Sequence, residues 1–238
     1  MDFLLSTANL LYEWGPNFLR GLSATLQIAF GAYLLGLTIG VFGAMGKIHG
    51  GKYLKLSLEI YTTIIRAVPE LVLILLLYYA GTSLLNQSLE AFGYNPVDIS
   101  GVAAGVVVLG LVQGAYATEI VRGALLSVPK GETEAGIAFG MSKSLLFRRI
   151  TLPAMIPLAL PGMANLWMIV TKDTALLAVV GFEELALVTK QAASKSRLFL
   201  EAFMVAAFLY LGITLISNQI FRLLERRARR GLPKLEQV

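Results

Sequence analysis

Residues 101–126, GVAAGVVVLGLVQGAYATEIVRGALL, stay almost wholly apolar from Gly101 to Thr118, meet Glu119 and Arg122, and give way to the polar stretch Ser127–Pro153, SVPKGETEAGIAFGMSKSLLFRRITLP. About 20 apolar residues are enough to cross the hydrocarbon core of a bilayer as a helix, so this reads as one span followed by a loop on one membrane face. Working outward, four further stretches have the same character, at about 21–46, 56–80, 153–180 and 199–221. The chain has 238 residues, is 56% hydrophobic and only 15% charged, and has a mean hydropathy of +0.71. That is too apolar for a water-soluble domain with a solvated face. The expectation is an all-α membrane protein: a single transmembrane domain over 1–238 with about five transmembrane helices.

Charge sets the direction. With the N-terminus outside, the inner segments hold Lys47, Lys52 and Lys55, then Arg122, Lys130, Lys143, Arg148 and Arg149, then Arg222, Arg226, Arg227, Arg229, Arg230 and Lys234. The outer segments hold Arg20, Lys172, Lys190, Lys195 and Arg197, and Arg66 falls inside a span. The excess of cations on one side predicts N-out and C-in. The outer segment Gly81–Ser100 has Glu90 and Asp98 but no basic residue, and the basic cytoplasmic tail, 222–238, is suited to anionic lipid. Residues 1–16, with Leu4, Leu5, Leu10, Leu11 and Trp14, lack the basic flank and cleavage site of a signal peptide and read as a short interfacial helix. A net charge of +5 would suggest nucleic acid in a soluble protein. Here the cations flank spans and orient the chain, so no nucleic-acid partner is expected.

Several chemistries are excluded. Without cysteine and with His49 alone, neither a disulfide, a zinc site nor other metal centre is expected. Gly46, Gly51 and Lys52 match the start of a phosphate-binding loop, but Tyr53 stands where a magnesium-binding hydroxyl is required, and the motif joins two spans rather than a strand and a helix. No catalytic residue is assigned. Gly36 and Gly40, Gly101 and Gly105, and Gly110 and Gly114 recur at the spacing that lets membrane helices approach closely, and mark packing seams.

Within Ser127–Pro153, helix formers from Glu132 to Phe139 end at Gly140, and Ser142 can cap a second short helix from Lys143 to Ile150 before Pro153 opens the next span. The result is a cytoplasmic helix-turn-helix elbow between spans three and four presenting Ile137, Phe139, Leu145, Leu146 and Phe147. Physics alone leaves two uses open: docking to a soluble partner, or lying on lipid headgroups.

Glu134, Ala135, Gly136, Gly140, Ile150, Leu152 and Pro153 reproduce, with Gly136 in place of a second alanine, the E-A-A-x3-G-x9-I-x-L-P pattern of importer permeases of the ATP-binding cassette superfamily, and the chain resembles that family. Arg66–Glu70, Tyr116–Gly123 and Lys172–Leu176 resemble its polar amino acid branch, above all histidine, lysine-arginine-ornithine and opine importers. The resemblance implies four things. The elbow couples to a cytoplasmic ATP-binding subunit; ATP and magnesium bind that partner and no cofactor binds this chain. A second permease subunit, the same or a related chain, pairs with it. An extracytoplasmic amino-acid-binding protein delivers substrate. The location is the bacterial cytoplasmic (inner) membrane, multi-pass.

Charges within spans mark the candidate path. Arg66 and Glu70 stand at i, i+4 around Pro69, where a charge costs several kcal/mol unless paired or wet; they read either as a mutually satisfied pair or as substrate contacts. The fourth span meets Thr171-Lys172-Asp173-Thr174 before a further apolar stretch. That is either the outer end of the helix or a break lining a wet cavity, with Asn165 and Trp167 facing the same space. Glu119 and Arg122 read as a structural pair. An ion-coupled secondary transporter or channel would use the same buried charges but leaves the elbow unexplained, and a membrane-anchored docking scaffold leaves the broken span unexplained.

Overall fold

The computed structural model describes residues 2–97 and 100–230; Asp98 and the end of the basic tail, including Lys234, lie outside the described residues. The described residues form nine α-segments: α1 Asp2–His49, α2 Lys52–Ala67, α3 Glu70–Ala91, α4 Gly101–Leu126, α5 Lys130–Ala138, α6 Lys143–Leu146, α7 Leu152–Asp173, α8 Leu185–Ser196 and α9 Phe199–Ala228. Among the described residues five stretches are long and apolar enough to cross a bilayer: Phe3–His49, Glu70–Ala91, Gly101–Leu126, Lys143–Val180 and Phe199–Ala228.

The bundle is organised around α1 and α4, which pack along most of their length. Small residues make this possible. A Cβ on Gly36 would fall 2.8 Å from Gln113 Cβ, one on Gly40 would fall 2.8 Å from the Ala117 carbonyl carbon, and Gly110 and Gly114 receive Leu35 and Ile39. Gly36 with Gly40 and Gly110 with Gly114 form the expected seam, since without a hydrophobic drive between helices in lipid close approach supplies the contact; Gly101 and Gly105 instead receive the Phe182 and Leu177 side chains, with Ile28 of α1 also beside Gly105. One core cluster joins Ile28, Ala32, Ile74, Leu109, Val170 and Leu177; a second joins Ala44, Ala117, Val121, Met155 and Met163.

Three segments differ from expectation. The first 16 residues are not a separate short helix but the beginning of α1, which runs unbroken for 48 residues through Pro16. Leu10, Trp14 and Phe18 bury against Leu185, Val188, Ala192 and Ala202 of α8 and α9, and this tertiary contact carries the helix across a proline that would otherwise end it. Ser6 also donates to Glu201, and Lys195 sits 5.5 Å from the Trp14 ring centre. The stretch expected as one spanning helix over 56–80 is two helices, of which only α3 is among the candidate spans, so Arg66, expected inside a span, lies just before one. α2 stops at Ala67, Val68 and Pro69 are extended, and α3 restarts at Glu70 and continues to Ala91. A proline removes its own N–H and pushes the preceding residue out of helical geometry, so the helix breaks at Val68-Pro69. The elbow's second helix does not stop before Pro153: α6 passes through a π-helical turn, Phe147–Thr151, directly into α7, where Pro153 occupies a first-turn position that needs no N–H partner.

α8 was not anticipated. Leu185, Val188, Thr189, Ala192 and Ala193 form its buried stripe, and Glu184 caps its start. The Glu184 carboxylate is fully buried, accepts from the backbone N–H of Ala186 and Leu187 at 2.9 Å, and is reached by the hydroxyls of Thr25 at 3.4 Å and Tyr210 at 3.3 Å. Burial raises its pKa above the usual carboxylate range while these donors pull it back. One side chain thus ties α1, α8 and α9 together on the expected outer side.

Candidate functional site

The interruptions in span two and span four bring polar groups to one level of the bundle. At the first, Arg66 ends α2 and Glu70 begins α3. The extended Val68-Pro69 link removes the helical i, i+4 relation, and no salt bridge joins Arg66 to Glu70 among the described residues. The two side chains are therefore not paired in this conformation. Arg66 is exposed on the single chain and Glu70 half-buried. At the second, α7 ends at Asp173 and tightens into a 3₁₀ segment, Thr174–Val180, that closes on Gly181. The interruption is a change of helix type rather than an unwound loop, and Asp173 stands at the change, half-buried beside an exposed Lys172.

α4 supplies the third wall. Tyr116 lies near enough to Glu70, Arg66 and Asp173 to share their electrostatic field, and Asp173 is in turn in the field of Glu70 and Lys172. Gln113, 1% exposed, extends its Nε2 to within 3.4 Å of Asp173 Oδ2. Arg66, Glu70, Tyr116, Asp173 and Gln113 thus form one polar cluster from four helices. Tyr116 and Gln113 were not singled out as site residues, although an amide inside the apolar run of α4 was the available signal. Other expected lining residues have different roles. Trp167 donates from Nε1 to Ser217 at 2.8 Å and packs edge-on against Tyr33, fixing α7 to α9 and α1. Thr174 is fully buried and donates to the Thr171 carbonyl, so it steadies the turn into the 3₁₀ segment. Asn165 is exposed on α7, about 12 Å of helix before Asp173.

Towards the expected cytoplasmic side, Lys47 is almost fully buried and donates to Glu59 Oε2 at 2.6 Å, Glu119 Oε1 at 2.6 Å and Thr62 Oγ1 at 2.7 Å. Arg122 holds the other oxygen of Glu119 at 2.7 Å. The expected Glu119–Arg122 pair is present, within a larger network that joins α1, α2 and α4. Gly46, Gly51 and Lys52 lie around the turn between α1 and α2, where there is no strand, so the phosphate-loop resemblance has no structural counterpart.

The elbow is built as the sequence indicated over its first half. Gly140, at φ +73°, ends α5: its N–H bonds the Ile137 carbonyl at 2.9 Å and that of Met141 bonds the Gly136 carbonyl at 3.1 Å. This pair of bonds satisfies carbonyls that the helix end leaves free. Ser142 accepts from the Leu145 N–H. Gly136 is buried against Leu146 and Ile150, clamping α5 onto the helix that becomes α7, while Glu134, Ala135, Ile137 and Phe139 point outward, Phe139 at 85% exposure. Ile150 is half-buried in the clamp and Leu152 and Pro153 are exposed. Gly140→Val should strain the left-handed position by about 1 kcal/mol or more, and Glu134→Lys should reverse a charge on the outward face. Both variants are expected to insert into membranes at normal levels, measured as the yield recovered from the membrane fraction.

Residues 32–230 match the family described as binding-protein-dependent transport system inner membrane component. The octopine transport system permease protein of Rhizobium radiobacter is 39% identical over 222 residues, covering 93% of this chain and 94% of that protein. The histidine/lysine/arginine/ornithine transport system permease protein of Escherichia coli is 39% identical over 227 residues, covering 95% of this chain and all of that one. Among solved structures, an amino acid ABC transporter crystallised with histidines superposes with a TM-score of 0.78 at 31% identity, over 95% of this chain and 99% of that chain. The methionine transporter's inward-facing form, at 19% identity and a TM-score of 0.66, shares the fold. The family match spans the bundle, both interruptions and the elbow: the chain belongs to the binding-protein-dependent transport system inner membrane components, the multi-pass permease subunits of ATP-binding cassette importers.

Proposed function

We propose that this permease carries cationic amino acids or opines (histidine, arginine, lysine, ornithine or an opine) along a path that includes Arg66, Glu70, Tyr116 and Asp173. The observation that carries this reading is the exposure of Arg66 and Lys172 on the single chain, on segments within or adjoining its spans. Bare against hydrocarbon, each charge would cost about 3 kcal/mol or more. A second permease subunit that covers this face and encloses a wet path removes the cost. Arg66 can take both oxygens of an amino acid carboxylate with its planar fork and cannot shed its charge. Glu70 and Asp173 then receive the ammonium or a cationic side chain, and an acidic substrate is disfavoured. In this reading a binding protein delivers substrate from outside the bacterial cytoplasmic membrane, and ATP with magnesium acts on a separate cytoplasmic subunit that engages Glu134, Ala135 and Phe139.

The path is tested by uptake of labelled arginine through the assembled importer at equal expression. Asp173→Asn and Arg66→Ala are expected to lose at least tenfold and Arg66→Lys to keep part of the rate; normal uptake by both Asp173→Asn and Arg66→Ala would place the path elsewhere. Orientation is tested on the cysteine-free chain. Glu90→Cys should react with an impermeant thiol reagent from outside, and Ser144→Cys only after the membrane is opened. The reverse pattern would put the elbow on the wrong side for an ATPase.

A further inference from the structure

Gln113 presents a buried polar group for which the bundle has no use. It lies in the α1/α4 seam, opposite the missing side chain of Gly36, among Val112, Gly114 and Ala115, all buried. Its Nε2 faces Asp173 Oδ2 at 3.4 Å, while its Oε1 is buried with no hydrogen-bond partner among the described residues. The amide orientation follows from charge: turning the group over would set a carbonyl oxygen against a carboxylate oxygen. An orphan acceptor of this kind costs the folded state about 1–3 kcal/mol, and an apolar side chain of the same length would avoid the cost. Buried polar groups without structural partners are expected where a partner arrives later.

Resting on the path proposed above, we infer that Gln113 is a specificity-determining residue. Its free Oε1 and the Asp173 carboxylate form a composite acceptor for a substrate group with several N–H donors, the guanidinium or ammonium of a cationic side chain. A carboxylate alone accepts any cation; an amide oxygen fixed beside it rewards a group that can donate in two directions at once. The Nε2 contact sets the carboxylate beside the amide in this conformation. Because Gln113 is enclosed in this conformation, the group engages it when the α4–α7 contact opens during the transport cycle.

The test uses the complete importer in proteoliposomes, supplied with labelled arginine on its binding protein. Gln113→Met keeps the length and removes both polar atoms; Gln113→Glu keeps acceptor oxygens and loses the donor. The inference expects Gln113→Met to lower arginine uptake at least tenfold while leaving the melting temperature of the purified complex unchanged or higher, and Gln113→Glu to retain several-fold more uptake than Gln113→Met. Wild-type uptake by Gln113→Met would overturn it, as would equal losses in both variants, which would reduce the amide to a holder of Asp173. A lowered melting temperature accompanying the loss in Gln113→Met would also overturn it, by showing the amide to be structural. Asp173→Asn separates the two levels. If it loses uptake and Gln113→Met does not, this inference fails and the path stands; if both Asp173→Asn and Arg66→Ala transport normally, the path itself fails.

Discussion

Glu119→Leu is expected to destabilise the bundle by about 3–5 kcal/mol, the range found when one partner of a buried ion pair is removed and the other is left behind. Glu119 is the shared anion of the inner network: one oxygen takes Lys47 and the other takes Arg122. Without it two cations face each other. Lys47, with 4% of its side chain exposed, keeps only the Thr62 hydroxyl and Glu59, itself 67% exposed and well screened by water. Lys47→Met should be milder, because Glu119 stays paired with Arg122 and the methionine refills the space. The order, rather than either value alone, is the prediction. Thermal unfolding of the purified complex should place Glu119→Leu lowest, Lys47→Met between, and Glu59→Gln near the parent. A Lys47→Met variant as unstable as Glu119→Leu would mean that Arg122 does not hold the carboxylate unaided.

Gly40→Ala should cost about 1–3 kcal/mol, whereas Gly136→Ala should be neutral or stabilising, although an added methyl finds too little room at both. The difference lies in what it meets. At Gly40 it meets the Ala117 side chain, with the Ala117 carbonyl carbon at 2.8 Å and the Thr118 nitrogen at 3.1 Å. Backbone cannot move aside, so α1 and α4 separate along their seam. At Gly136 it meets the tips of Leu146 and Ile150, the latter at 2.7 Å. Those can rotate away, and the helix gains up to about 1 kcal/mol from replacing glycine. Assembled complex recovered after detergent extraction measures the first effect, and its melting temperature the second. Gly40→Val should leave little complex to recover. The departure of Gly136 from the family's alanine is thus a local adjustment in the clamp.

The sequence exposed the spans, the glycine seams and the first half of the elbow because each depends on short-range pattern: runs of apolar residues, four-residue spacing, a serine cap and a glycine stop. What it concealed depended on distant contacts. Gly15-Pro16 reads as a boundary, and only burial of Leu10 and Phe18 on α8 keeps α1 continuous. α8 itself carries a legible helical stripe at Leu185, Val188, Thr189, Ala192 and Ala193, but its polar residues drew it into a loop reading. Pro69 breaks the helix outright, which undoes the helical spacing on which an Arg66–Glu70 pair relied. Lys47 counted as one more inner-side cation until the fold closed Glu59 and Glu119 around it. Gln113 and Tyr116 belong to the site only because α4 faces two interruptions at once, a fact of tertiary arrangement.

The π-helical turn at Phe147–Thr151 has a mechanical consequence. Because it joins α6 to α7 with no loop between them, Lys143–Asp173 is a continuous helical strut of about 46 Å at 1.5 Å per residue, carrying Pro157 and Pro161, with the elbow at one end and Asp173 at the other. A strut converts rotation into displacement. A tilt of about 5° about its inner end sweeps the far end through roughly 4 Å, comparable to the distance between hydrogen-bonded atoms and enough to part Asp173 from Gln113. A displacement of the elbow would therefore reach the carboxylate as leverage, with no loop between them.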